Sequence, residues 1–189
     1  MINAPEKENG FYAARLNLDL SVNDPDYPLL DLANYIFGDG GLKSRLMDRI
    51  RQKDGLSYGG GTGLQAGEID RAGSFDVNAI AAPQNLKKLQ SAIREELERA
   101  VKEGFTAAEL AGAKSGLLQQ RVQNRSKDEV LAAGWTRNLY LNRTYSWSKE
   151  YEDKLKAATL AQVNAAFRKA VDPAKLTVVV AGDESKAKK

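Results

Sequence analysis

The chain contains no cysteine and no histidine, and these two absences exclude more chemistry than any residue present suggests. Without Cys no disulfide and no thiolate metal site can form. Without His or Cys a transition-metal site would have to be built from carboxylates alone, a donor set that favours magnesium or calcium. Ser-His-Asp and Cys-His nucleophilic systems are excluded, which leaves general acid–base work to Asp, Glu, Lys or Tyr. The missing Cys does not assign a compartment, since cytoplasm and periplasm are both compatible with it. Aromatics are sparse at 7%, and no basic patch is interleaved with them, so no nucleic-acid partner is expected. The longest apolar runs, such as "LTVVVAG", are far too short to span a bilayer. "MINAPEKENG" has neither the hydrophobic core nor the cleavage site of a signal peptide. The expectation is a cytoplasmic chain, or a fragment whose targeting segment lies elsewhere.

What is present suits one domain spanning residues 1–189, long enough to bury about 70% of its unfolded surface. The net charge of +3 is small against 28 basic and 25 acidic residues, and much of the excess lies in "SKAKK", residues 185–189, read as a disordered basic tail. "FYAARLNLDLS" alternates, with Tyr12, Ala14, Leu16, Leu18 and Leu20 on one face of a half-buried strand. Leu29, Leu32, Ala33 and Ile36 then recur at helical spacing until Gly38, Gly40 and Gly41, and a short helix follows over "KSRLMDRIRQ". Two strands are expected around 56–65 and 73–81, with "AGEIDRAG" as their hairpin loop. A long amphipathic helix starts near Pro83, with Leu86, Leu89, Ile93, Leu97 and Val101 as its buried stripe, and stops at Gly104. Three capping boxes, Thr106 with Glu109, Ser126 with Glu129 and Thr159 with Gln162, mark further helix starts, and Phe105 and Leu110 suit a staple across the first. "KLTVVVAGD" reads as a strand returning to the sheet. This order predicts an α+β fold, a mainly antiparallel sheet with helices packed on one face.

Few motifs carry chemistry. "GDGGLKS" fails the phosphate-loop pattern because Leu42 precedes Lys43, and "GGGTGLQA" lies in a strand that leads to no helix. Gly59 to Gly63 instead mark a strand with a close backbone approach or a bulge. Glu95, Glu96 and Glu98 are read on the solvated face of their helix, and Asp24 and Asp26 in a turn. No Asp/Glu set converges to support a magnesium enzyme. Trp135, Tyr140, Tyr145 and Trp147 are read as core and interface. Arg51 and Tyr58, seven residues apart across "DGLS", remain open: either a helix C-terminal cation and a strand residue at the rim, or a pair that holds something.

"DPDYPLLDLANYIFGDGGLKSRLMDRIRQKDGLSYGGG" resembles the C-terminal half-domain of the zinc peptidase family that includes pitrilysin, insulin-degrading enzyme and the mitochondrial processing peptidases, peptidase family M16. The specific elements are Asp24-Pro25-Asp26-Tyr27-Pro28, the helix ending in "GDGG", Ser44-Arg45-Leu46, and Arg51 followed by "GLSY". The resemblance implies a peptidase of two similar α+β halves facing each other across a chamber. One half binds zinc through His-x-x-Glu-His and a distant Glu. The other offers an Arg and a Tyr, seven residues apart, towards the substrate. Arg51 and Tyr58 match that spacing, and by resemblance they would bind peptide substrate and its transition state.

With no His, this chain cannot carry the zinc ligands. It is expected to be inert alone, with no cofactor of its own, no metal ligands and no catalytic residue in isolation. Zinc is expected in a His-x-x-Glu-His-bearing partner half, in the same chain or a separate subunit. The start directly at a strand suggests excision from a longer chain, and by the same resemblance the parent suits the periplasm. The competing expectation is a scaffold subunit of the same fold, as in respiratory-complex core proteins, which pairs with a similar domain without contributing to catalysis.

Overall fold

The computed structural model describes residues 1–187. Five strands, β1 (Ile2–Asn3), β2 (Gly10–Asp19), β3 (Ser57–Gln65), β4 (Ala72–Ala81) and β5 (Thr177–Gly182), form one sheet in the order β1-β5-β2-β4-β3. All neighbours run antiparallel except β1, which lies parallel to β5 and precedes the first strand expected from the sequence. The alternation read in β2 sets its register. Tyr12, Ala14 and Leu16 face Ala79, Val77 and Phe75 of β4, and all six are buried. The intervening Phe11, Arg15 and Ile80 stay exposed on the other face. Period-two patterning thus places one face under helices and leaves the other open.

The helices are α1 (Tyr27–Asn34), α2 (Arg45–Met47), α3 (Leu86–Glu103), α4 (Ala107–Arg125), α5 (Asp128–Tyr140), α6 (Tyr145–Ala157), α7 (Leu160–Ala170) and α8 (Glu184–Ala187). The expected stripe of α3 is buried at Leu86, Leu89, Ile93 and Leu97, with Val101 packed at its margin. Phe37, Phe75, Phe105 and Phe167 join helices to sheet with ring centroids 5.1 to 6.2 Å apart. Both capping boxes at Thr106–Glu109 and Thr159–Gln162 form.

Three expectations change. Ser126 does not cap α5: it keeps helical backbone angles at the end of α4, donates its hydroxyl to the Gln123 carbonyl, and leaves Lys127 as the extended residue before α5. Glu96 is buried, not solvated, and two contacts of 2.5 and 2.6 Å with Arg99 balance its charge. Trp135 and Tyr140 are not core: they are 52% and 76% exposed, and no residue of α5 is buried. Glu184–Ala187 form one helical turn, α8, and Lys188 and Lys189 of the basic tail lie outside the described residues.

α1 and α2 each run on into widened π-helical turns, Tyr35–Asp39 and Asp48–Lys53. Such turns insert an extra residue and re-aim the side chains that follow. The first rests on β3 through a close approach. A Cβ at Gly38 would lie 2.4 Å from Oγ1 and 2.5 Å from Cγ2 of the buried Thr62. Gly38→Ala is therefore expected to destabilise the protein by about 2 kcal/mol through overpacking. Thr62→Ser, which removes the Cγ2 methyl, should recover part of that loss in the double variant, measured by urea unfolding.

Candidate functional site

The second π-helical turn ends at Asp54, whose N–H donates to the Arg49 carbonyl at 3.0 Å. Gly55 follows with φ +61°, a conformation that favours glycine, and turns the chain directly into β3. This corner puts Arg51 beside the start of β3. One guanidinium N–H of Arg51 donates to the backbone carbonyl of Tyr58 at 3.0 Å.

Tyr58 occupies a β-bulge. Ser57 pairs with Ala81 and Gly59 with Ile80, so Tyr58 is the extra residue on β3. The buried Ser57 clamps the bulge: its hydroxyl donates to the Ile80 carbonyl at 2.6 Å and accepts from the Gly59 N–H at 3.1 Å. A regular strand would commit Tyr58 to one face. The bulge lifts it out, 60% exposed, and its hydroxyl donates to Oδ1 of Asn9 at 2.6 Å. The structure thus brings together the two residues singled out in the sequence, through a side-chain-to-backbone contact and not between their polar groups. Asn9 was not singled out in the sequence, and the contact spans 49 positions.

The charges around the corner are unequal in their pairing. Arg49 meets Asp54 at 2.7 Å and Glu95 at 3.0 Å, and Lys53 meets Asp48 at 2.7 Å. Arg51, exposed between them, forms no ion pair among the described residues. Its guanidinium is held in place by a backbone carbonyl and keeps most of its donor fork free. β3 is also the last strand of the sheet, so its outer edge has no strand partner among the described residues.

The strongest shifts in acidity lie elsewhere and have structural causes. Burial raises the Asp31 carboxyl and pushes up the Tyr151 phenol that donates to it, tying α1 to α6. Burial likewise pushes Tyr27 up to about 12. Asp24 is held low by the Ser21 N–H and by Arg71, which fastens the turn before α1. Among the described residues no group of three or more Asp or Glu side chains is placed to hold a metal ion, and no helix is long and apolar enough to cross a membrane. The donor set of this chain does not fit zinc.

Fold and site together define an α+β domain that presents an uncompensated Arg and a bulge-mounted Tyr at the rim of an open sheet edge. The family model described as the peptidase M16 inactive domain matches residues 6–117, more than half of the sequence, and the chain belongs to that family. Its fold is similar to a peptidase M16 inactive domain from Pseudomonas fluorescens, with 25% identity, a TM-score of 0.83, and coverage of 96% of this chain and 42% of that one. It is also similar in fold to the periplasmic protease PqqL from Escherichia coli, at 17% identity and TM-score 0.77, covering 96% of this chain and 20% of that one. A chain of complex III2 from Candida albicans matches at 14% identity and TM-score 0.78, covering 96% and 44%. The chain thus spans less than half the length of each. Comparison with curated proteins finds no match to the sequence.

Proposed function

We propose that residues 1–189 form the substrate-binding, non-catalytic half of a two-half zinc endopeptidase, with Arg51 and Tyr58 acting on peptide held at the zinc of a His-x-x-Glu-His-bearing partner half. The observation that carries this reading is the uncompensated Arg51. On the same turn Arg49 is paired with two carboxylates, whereas Arg51 is anchored by the Tyr58 carbonyl with its remaining donors free. What zinc supplies, when bound in the partner, is Lewis-acid activation of water. This chain supplies fixed donors. The guanidinium and the phenol O–H orient the scissile carbonyl and meet charge as it develops on oxygen. The unpartnered edge of β3 suits an extended peptide added as a further strand, with main-chain hydrogen bonds giving affinity independent of sequence.

The test is hydrolysis of an internally quenched peptide, with zinc present, by this domain joined to or mixed with its partner half. Activity is expected to require both halves and to fall steeply in Arg51→Ala. The likeness to a complex III2 chain favours a second reading, a scaffold that only shapes its partner. Under that reading the mixture keeps full activity when Arg51 and Tyr58 are both substituted.

A further inference from the structure

We infer that Asn9 is a positioning residue for Tyr58, and that its carboxamide exchanges roles between the free and the substrate-bound domain. The inference rests on the reading of Tyr58 as a substrate donor. A phenol has one proton, and in the free domain that proton is donated to Asn9 Oδ1 at 2.6 Å. The same proton cannot simultaneously meet an oxygen of the substrate. Tyr58 therefore rests in a committed hydrogen bond that must be traded when peptide binds.

Asn9 can make that trade without losing Tyr58. The terminal amide torsion of Asn is broad and roughly two-fold, and the carboxamide carries an acceptor on one side and two donors on the other. Turned over, Asn9 donates its Nδ2–H to the phenol oxygen, and the phenol proton is released towards the substrate. The phenol then accepts from Asn9 while donating to the developing oxyanion. Each bond in such a chain polarises the next, which makes the phenol a stronger donor in the transition state. No proton leaves its heavy atom at any point; only the amide and the hydroxyl rotate.

The fold makes Asn9 the residue for this. It immediately precedes β2, whose first residue, Gly10, pairs with Ala81, and Ala81 pairs in turn with Ser57 beside the bulge. Asn9, one residue before β2, and Tyr58, on β3, thus lie to either side of β4 at the same end of the sheet, with the bulge turning Tyr58 out to where Asn9 reaches it. With Tyr58 60% exposed, the hydrogen bond to Asn9, two strands away, is the side-chain polar contact that directs its phenol.

The experiment is a double-substitution cycle in the assembled peptidase, reading kcat and KM separately on an internally quenched peptide that the wild-type assembly cleaves. Asn9→Ala is expected to lower kcat about fivefold, the worth of one net hydrogen bond, with KM nearly unchanged. In a Tyr58→Phe background the same substitution should cost nothing further. Asn9→Asp separates role exchange from simple anchoring. The carboxylate accepts from the phenol more strongly but has no N–H to return, so its kcat is expected to fall below that of Asn9→Ala. Equal losses from Asn9→Ala with and without the Tyr58 hydroxyl would reduce Asn9 to a structural residue and overturn the inference. So would an Asn9→Asp variant as active as wild type. If Tyr58→Phe and Arg51→Ala are themselves silent, the reading of the site falls, and this inference with it. If they are not silent and Asn9→Ala is, only the inference falls.

Discussion

Arg51→Ala in the assembled peptidase is expected to lower kcat/KM about a hundredfold while leaving the fold intact. The size follows from what is removed. A fixed donor aimed at charge that forms only in the transition state is worth about 3 kcal/mol, because it costs no reorganisation at the moment of reaction. The fold does not depend on the side chain: Arg51 is exposed, pairs with no carboxylate among the described residues, and gives up a single hydrogen bond to the Tyr58 carbonyl. That bond, made by an exposed guanidinium, is worth about 1 to 2 kcal/mol of stability. Arg51→Lys should recover little of the loss, because an ammonium reaching the Tyr58 carbonyl has no planar fork left to hold a second oxygen in line. Tyr58→Phe is expected to lower kcat more than it raises KM. Steady-state kinetics on all three variants, with unfolding curves as the control, check this. Normal kcat/KM in the Arg51 and Tyr58 variants of an active assembly would remove both from the chemistry and favour the scaffold.

Glu109→Ala is expected to cost about 3 kcal/mol of stability, the largest loss predicted for a polar side chain here. Glu109 joins three structural devices. It closes the capping box of α4, accepting from the Thr106 N–H at 2.7 Å and from the Thr106 hydroxyl at 2.8 Å. It receives Arg45 in a two-pronged pair at 2.5 and 2.8 Å. Arg45 in turn lies over the Phe105 ring, 4.9 Å from its centroid, and is mostly shielded from solvent. Removing the carboxylate leaves a largely shielded guanidinium without its counter-charge and, in the same step, removes the carboxylate's half of the capping box.

The pH dependence has a definite sign. Burial pushes the Glu109 carboxyl up, but Arg45 and both Thr106 donors more than reverse this and hold it at about 2, against 4.5 for the free side chain. The stabilisation is therefore fully present above about pH 4.5 and is lost as pH falls towards 2. Its upper bound is about 3 kcal/mol, reduced somewhat because the side chain keeps 29% of its exposure. Glu109→Gln preserves the box and removes the charge. It should be less stable than wild type at pH 7, and the difference should narrow at pH 3. Urea unfolding of both proteins at the two pH values tests this, and an equal gap at pH 7 and pH 3 would refute the charge-based account.

Local chemistry explains what was legible in the sequence. The alternation from Tyr12 to Leu16 and the stripe of α3 report burial on a single face, and a strand or an amphipathic helix cannot conceal that period. The boxes at Thr106 and Thr159 formed because capping is settled within four residues. The box at Ser126 did not, because where α4 ends depends on how far its helical hydrogen bonds run, and they run through Ser126. Glu96 was misread for a related reason. Charge suggests solvent, but position 96 falls between the buried Ile93, Leu97 and Ala100, and only the packing shows that Arg99 reaches in to neutralise it. The aromatics of α5 suggested burial by their chemistry, yet none of that helix's residues is buried.

The sequence by itself determined the α+β architecture, the exclusion of His- and Cys-dependent chemistry, and the spacing that marks Arg51 and Tyr58. The first two follow from residue types and short periods along the chain, the third from the resemblance to the peptidase family. Only the tertiary structure decided that Arg51 forms no ion pair among the described residues while its neighbours are paired, that Tyr58 stands on a bulge clamped by Ser57, and that its hydroxyl donates to Asn9. Each of these depends on which groups meet across strands and turns. Partners separated by many residues leave no periodic trace in a sequence; only folding brings them within hydrogen-bond reach.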